Sequence, residues 1–327
     1  MNTFGTKLRL SIWGESHGTA LGIVIGGVPA GISLCEADFV ADIERRRGGK
    51  PSTTPRIESD TPTLLSGIYK GFTTGAPISI LFRNESQHSS DYSSLAATPR
   101  PGHADWVAVQ KYGGYNDPRG GGHFSGRLTL PIVAAGVVAK KIIATKFPDL
   151  NIASHITELG GQKDPERWSE LLARASAEGD SVGAIIECQA QGMPVGLGEP
   201  FFDSLESQLA HILFAIPAVK GVEFGLGFDS ARVPGSINND PIISPDGTTA
   251  TNNAGGINGG ISNGNPLVVR VAVKPTPSIR RTQQTLNTAT GTVEPLEVGG
   301  RHDVCIALRA GVVIEAAVAI VLADNIL

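Results

Sequence analysis

A chain of 327 residues with 41% hydrophobic and 18% charged residues can bury a large core, and no linker divides it, so residues 1–327 are expected to form one domain. Its formal net charge of -4 gives no general attraction to nucleic acid or anionic membranes, so an anion must be bound by locally gathered basic side chains. The three cysteines, Cys35, Cys188 and Cys305, form no CxxC pair and argue against a disulfide framework or a zinc site, and with no N-terminal apolar run suited to a signal peptide they point to a reduced, cytoplasmic setting.

Along the chain, the apolar stretch Leu8 to Trp13 runs into Gly14-Glu15-Ser16-His17-Gly18, and Ile23 to Val28 then reads as a strand. A helix is expected from Glu36, closed by Arg45-Arg46-Arg47, which is either a solvated helix end or part of an anion site. Ile78 to Phe82 is the next strand. Arg100-Pro101-Gly102-His103 follows, and then a glycine-rich segment from Asp117 to Arg127 directly before Leu130 to Phe147, a helix apolar on nearly every face. Glycine-rich backbone at a helix N-terminus points N–H groups and the positive dipole end at an anion. Val182 to Cys188 and Pro266 to Val273 read as strands.

Between the last two, Arg232 to Asn265 is rich in Asn, Gly, Pro, Ser and Thr, and its doubled glycines suggest either a surface loop or backbone packed closely on a flat or charged ligand. Cys305 to Leu327 is a second helix apolar all round. A membrane placement would set Arg309 and Glu315 in lipid at about 2.5–3.5 kcal/mol for a central charge, so a buried core helix is the expectation. Strands around two buried helices predict an α+β layered fold with the helices covered by sheets.

Three distant segments thus carry histidine beside glycine: residues 14–18, 100–103 and 300–303. Histidine titrates near neutrality and glycine lets backbone approach a ligand, a combination suited to proton transfer at an anionic substrate in a composite site. Arg100, Arg119, Arg127, Lys274, Arg280, Arg281 and Arg301 lie in or beside glycine- and proline-rich loops, and arginine's planar fork suits phosphate and carboxylate. The chain lacks GxxxxGK[ST] and a strand-GxGxxG-helix unit, so neither a P-loop nor a Rossmann site is supported. His88, His155 and His211 read as packed or solvated residues.

Taken together, Gly14–Gly18, Arg100–Asp105, Gly120–Arg127, Ala218–Gly225, Gly255–Ser262, Lys274–Ser278 and Gly300–Asp303 resemble, in order, the motifs of the chorismate synthase family. The resemblance implies a β-α-β sandwich with helices between antiparallel sheets, assembled as a homotetramer. It implies a lyase that converts 5-enolpyruvylshikimate 3-phosphate to chorismate and inorganic phosphate by 1,4-anti elimination, with reduced FMN that is not consumed. His17 matches the family's proton donor to the departing phosphate, with Ser16 beside it to hydrogen-bond substrate. His103 matches the histidine that manages flavin protonation, and Asp303 an aspartate that assists deprotonation through flavin N5. Arg46, Arg100, Arg127 and Arg301 match substrate-holding arginines, Arg46 and Arg301 also serving the flavin. Further flavin contacts would come from His123, Phe124, Ser125, Pro217, Ala218, Gly259, Lys274, Pro275, Thr276, Pro277 and Ser278. No metal is implied.

Three positions depart from the family pattern. His123-Phe124 stands where Arg-Ser is usual, Val304 where proline often follows the aspartate, and Ser52 where a second basic residue is frequent, with Lys50 as a substitute. NADPH as reductant, in the manner of bifunctional relatives, stays open. The alternatives are another flavin-dependent oxidoreductase and a non-catalytic anion or nucleic-acid binder, the latter disfavoured by the acidic balance.

Overall fold

The computed structural model describes residues 2–55, 58–85, 97–300 and 302–327, so His88 and Arg301 lie outside the described residues. Strands β1 (Thr3–Phe4), β2 (Arg9–Gly14) and β3 (Ala20–Gly26) run antiparallel from the N-terminus. The helical segment from Glu36 begins as a 3₁₀ turn, Glu36–Phe39, and continues as α1 (Val40–Arg46). After β4 (Thr63–Ser66) and a small hairpin of β5 (Ile68–Tyr69) and β6 (Phe72–Thr73), β7 (Ile78–Arg83) pairs with both β3 and β4. The first sheet therefore has the order β1-β2-β3-β7-β4.

Next come α2 (Asp105–Tyr112), α3 (Thr129–Lys146), β8 (Asn151–Leu159), α4 (Trp168–Ala177), β9 (Ala184–Gln191), α5 (Leu205–Ala215) and β10 (Val219–Phe224). Beyond them lie the single turn α6 (Gly235–Asn238), a hairpin of β11 (Ile257–Asn258) and β12 (Ile261–Ser262), and β13 (Leu267–Val273). A second hairpin of β14 (Gln283–Asn287) and β15 (Thr292–Leu296) precedes α7 (Gly311–Ile326). The second sheet has the order β10-β13-β9-β8, again antiparallel. Its register matches buried to buried: Val269 lies opposite Cys188, and Val271 opposite Ile186. A slip by one residue would turn that apolar face to the other side of the sheet.

Helix α3 packs on β3 and helix α7 on β8 and β9, while α3 and α7 lie along each other. The two sheets thus cover the two apolar helices, as an α+β chain of this pattern requires. Close approach of the helices depends on Gly136, where an added Cβ would stand 2.3 Å from the Cβ of Ala316. The segment Arg119–Lys146 is long and apolar enough to cross a bilayer, yet 78% of its most apolar window is buried inside the fold. Charge on α7 is likewise satisfied internally: Glu315 accepts a forked pair from Arg45 at 2.7 and 2.6 Å and two bonds from Ser154 at 3.0 and 2.7 Å. The expected helix from Cys305 begins with a separate 3₁₀ turn, Ile306–Arg309, before α7 starts at Gly311. A side chain at 311 would meet the Ser154 hydroxyl at 2.6 Å, so glycine allows the helix to start against β8.

The Asn- and Gly-rich stretch packs on the chain's own backbone. A Cβ at Gly255 would lie 2.4 Å from the Gly225 nitrogen, and one at Gly256 would lie 2.5 Å from the Pro266 carbonyl.

Candidate active site

The motifs meet at a cavity of about 720 Å³ between the edge of the first sheet and the helix starts. That is within the ~300–1,000 Å³ of small-molecule and cofactor sites. Arg46 reaches it from the end of α1, Arg100 and His103 from the segment before α2, and Arg127 from the turn that opens α3. Asp303 and Arg309 come from the approach to α7. Described cationic lining residues are Arg46, Arg47, Arg100, Arg127, Lys274 and Arg309, against the carboxylates Glu58, Asp60 and Asp303. Six cations against three carboxylates leave an excess of positive charge in a protein that is acidic overall. A polyanion is therefore attracted to this place and not to the surface at large.

The arginines are held before any ligand arrives. Arg46 is buried and donates to the Thr129 hydroxyl at 2.9 Å and to the carbonyls of Gly126 and Arg127 at 2.9 and 3.2 Å. Burial pulls its pKa down to about 9, with Asp60 acting against that, so the guanidinium stays cationic at neutral pH. Asp60 bridges two arginines: Arg127 donates to Oδ1, and Arg46 Nη1 lies 3.6 Å from Oδ2. Arg127 Nε also donates to Asn84 Oδ1 at 3.0 Å, while the Asn84 amide donates to the Glu15 and Gly18 carbonyls at 3.1 and 2.8 Å. Asn84 therefore ties the Gly14–Gly18 turn to Arg127.

The glycine run carries both histidines. Gly120, Gly121 and Gly122 have φ of +59°, +81° and +53°, left-handed values that glycine adopts without the cost an L side chain incurs. Their missing side chains make room. A Cβ at Gly120 would stand 2.7 Å from ring atoms Cδ2 and Nε2 of His17, and one at Gly121 would stand 3.2 Å from Cε1 of His103. His17 is buried behind Gly120 and does not itself line the cavity, whereas Ser16 and His103 do. His123 Nδ1 donates to the Gly14 carbonyl at 2.9 Å, which anchors its ring on the same turn.

Two carboxylates are held ionised beside these groups. Asp303 is buried, which alone would raise its pKa, but a fork from Arg309 at 2.9 and 2.8 Å and the Thr54 amide at 3.0 Å hold it below the usual carboxylate range. Asp105 receives Arg100 Nε at 2.7 Å and Nη2 at 2.8 Å, and His103 Nδ1 at 2.5 Å. Here too burial is outweighed by those bonds, so the pKa is far below the ordinary range.

Of the residues expected to touch a flavin, His123, Phe124, Ser125, Pro217, Ala218, Lys274, Thr276, Pro277 and Ser278 line the cavity. Ala218 has φ +75°, a strained conformation for alanine, which is typical of backbone held for a function. The Thr276 hydroxyl is buried without a hydrogen-bond partner among the described residues. Leu10, Ile12, Ile132, Ile212 and Ile216 form an apolar part of the same wall. One cavity with apolar and cationic sides and an unspent hydroxyl fits a flavin mononucleotide, which has a flat apolar ring and an anionic end.

Pro275 is not on the wall; its Cδ packs 3.1 Å from where a Gly183 Cβ would be. Gly259 sits at the turn of the β11–β12 hairpin, also off the wall, and its neighbour Gly260 packs on Glu199 and Ser204. Arg119 pairs with Asp117 at the surface. His211 lines the cavity, its ring edge-on to Phe4 at 5.2 Å. Sequence reading did not assign Asp60, Asn84, Asp105 or Arg309. Asp105 stood inside a recognised motif and Arg309 pairs with Asp303 six residues before it, but Asp60 and Asn84 are identified only through partners remote in the chain.

The chain is similar over its length to proteins of one family. A family model described as chorismate synthase matches residues 8–327. A chorismate synthase from Chitinophaga pinensis is 55% identical over 327 residues, covering 100% of this chain and 97% of that one. One from Methanosarcina mazei is 45% identical over 353 residues, with 100% and 96% covered. A crystal structure described as chorismate synthase superposes with a TM-score of 0.75 at 28% identity, covering 98% of this chain and 92% of that one.

Proposed function

This chain belongs to the chorismate synthase family, and from that premise we propose which of its residues do the family's work and how. The enzyme is a lyase of the shikimate pathway that takes 5-enolpyruvylshikimate 3-phosphate to chorismate and inorganic phosphate, and it requires a reduced flavin. An unrelated flavin oxidoreductase is not favoured.

The proposal rests on one observation: Arg46, Arg100 and Arg127 converge with Asp303 and both histidine segments on a cavity of net positive lining. In the proposed arrangement these arginines, with Arg301, hold the substrate's phosphate and two carboxylates by charge-assisted bonds. Ser16 hydrogen-bonds the substrate. His17, held behind Gly120, donates a proton to a phosphate oxygen as the C–O bond at C3 breaks once the glycine run admits the phosphate to its ring, which avoids expelling a fully charged leaving group. His103 holds or releases a proton at Nε2, and Asp303, kept ionised by Arg309, assists removal of the C6 proton. Closing the cavity round the reactants strengthens each of these interactions by excluding water.

FMN is the proposed flavin. The chemistry it would supply when bound in reduced form is transient electron density for the allylic system without net consumption. Lys274, Thr276, Pro277 and Ser278, with Pro217, Ala218 and His123 to Ser125, would hold it from one side. Gly259 and Pro275 belong to the proposed set only if another copy or a ligand-dependent movement brings them in. A homotetramer is proposed from the family resemblance and from large exposed apolar side chains, among them Phe201 at 87%, Phe202 at 92% and Phe228 at 76%. Light scattering at micromolar protein tests that number. A single domain is proposed from one continuous core running from Leu8 to Ile326, and a cytoplasmic location from the free cysteines.

Titration of FMN fluorescence with the purified protein, with and without substrate, tests the shared cavity. Quenching that tightens with substrate supports it, and substrate that competes with FMN contradicts it. NADPH and an external donor are the two candidate reductants. Anaerobic oxidation of NADPH by the FMN-loaded protein selects the first, and no oxidation assigns reduction to an external donor.

A further inference from the structure

Asp105 is the first residue of α2, two positions after His103. Its carboxylate is saturated: Oδ2 accepts the Arg100 amide at 3.1 Å and Nε at 2.7 Å, and Oδ1 accepts Arg100 Nη2 at 2.8 Å and faces His103 Nδ1 at 2.5 Å. Arg100 is itself fixed by the Ser278 hydroxyl at 2.9 Å, and its Nη2 lies against the imidazole, 3.0 and 3.3 Å from the two ring nitrogens. An ionised carboxylate can only accept, so the proton between Asp105 and His103 belongs to Nδ1. The opposite ring edge, Cε1 and Nε2, faces Gly121, where a Cβ would stand 3.2 and 3.3 Å away.

We propose that Asp105 is a positioning residue that fixes His103 in the Nδ1–H tautomer and leaves Nε2, on the ring edge beside Gly121, as the atom through which the ring exchanges a proton. The inference rests on the reading of His103 as a proton-handling residue. Carboxylates orient histidines in this way wherever one ring nitrogen must be kept free for chemistry. The bonds from Arg100 and His103 outweigh burial and keep Asp105 ionised, so the acceptor is present throughout the working pH range.

The test uses the full-length protein with ¹⁵N-labelled histidine, the His103 signals being those lost in His103→Gln. Between pH 6 and 9 the wild type is expected to keep a proton on Nδ1. Asp105→Ala is expected to release the ring into a mixture of tautomers and to lower kcat by about 10²- to 10⁴-fold, the range one acid–base group supplies, with KM changed much less. Asp105→Glu should restore part of both. An unprotonated Nδ1 in the wild type overturns the proposal whether or not the variant folds, and so does an Asp105→Ala ring with wild-type signals. Altered tautomers with unchanged kcat would instead overturn the proton-handling role of His103, while the positioning stood.

Discussion

Gly120→Ala isolates the contact between the glycine run and His17. The added methyl would lie 2.7 Å from Cδ2 and Nε2 of His17 and 2.8 Å from the Ser16 hydroxyl, where ordinary contacts between heavy atoms are about 3.5–4.0 Å. The ring must therefore give way by roughly 1 Å, and a displacement of that size in a reacting group can cost about 10²-fold in rate. Because φ is +59°, alanine also costs about 1–2 kcal/mol in the left-handed region. The expected outcome is a folded protein, destabilised by about that amount in urea titration, with kcat down about 100-fold. Gly122→Ala is the contrast. There the methyl meets the Asp117 carbonyl at 2.1 Å, main chain that cannot swing aside, so loss of folded protein is expected. A Gly120→Ala enzyme with the predicted loss of stability and wild-type kcat would refute the claim that His17 placement sets the rate.

Other outcomes follow from buried charges and packing. Asp324 at the end of α7 accepts the amides of Thr6, Lys7 and Leu8 at 2.9, 2.6 and 2.6 Å, so Asp324→Ala should cost about 2–4 kcal/mol and expose the Leu8 amide to hydrogen exchange. Glu315→Gln should cost about 1–3 kcal/mol in urea titration, limited because Arg45 is half in water and can rehydrate. Asp303 has a folded pKa below its unfolded value, so its contribution is fully present above about pH 4 and is lost as pH falls through the folded value. The stability difference between wild type and Asp303→Asn should therefore be constant near neutrality and shrink on acidification, and a difference that grew would reverse the assignment.

The strongest patterns in the chain were legible because they are local. The all-apolar runs of α3 and α7 require burial on every side, and the β3, β7, β9 and β13 segments carry apolar runs bounded by turn residues. Strand β8, by contrast, mixes Asn, Ser, His, Thr and Glu with isoleucine and is identified by its pairing with β9. The site divides in the same way. His17, His103 and the arginines stand in glycine-rich motifs, whereas the role of Asp60 depends on Arg127, 67 residues away, and that of Asn84 on both Arg127 and the Gly14–Gly18 turn. Such pairings are properties of the folded topology. The doubled glycines in residues 252–264 suggest a surface loop or backbone lying on a flat or charged ligand, whereas Gly255 and Gly256 lie against the chain's own backbone.

The central claim is that this cavity carries out a redox-neutral elimination with a flavin that is not consumed. An anaerobic assay with 5-enolpyruvylshikimate 3-phosphate and a catalytic amount of dithionite-reduced FMN tests it by following chorismate, phosphate and the flavin spectrum together. Equal release of chorismate and phosphate over many turnovers is expected, with the flavin still reduced at the end. Phosphate release that stops after one equivalent of flavin has been oxidised would contradict it.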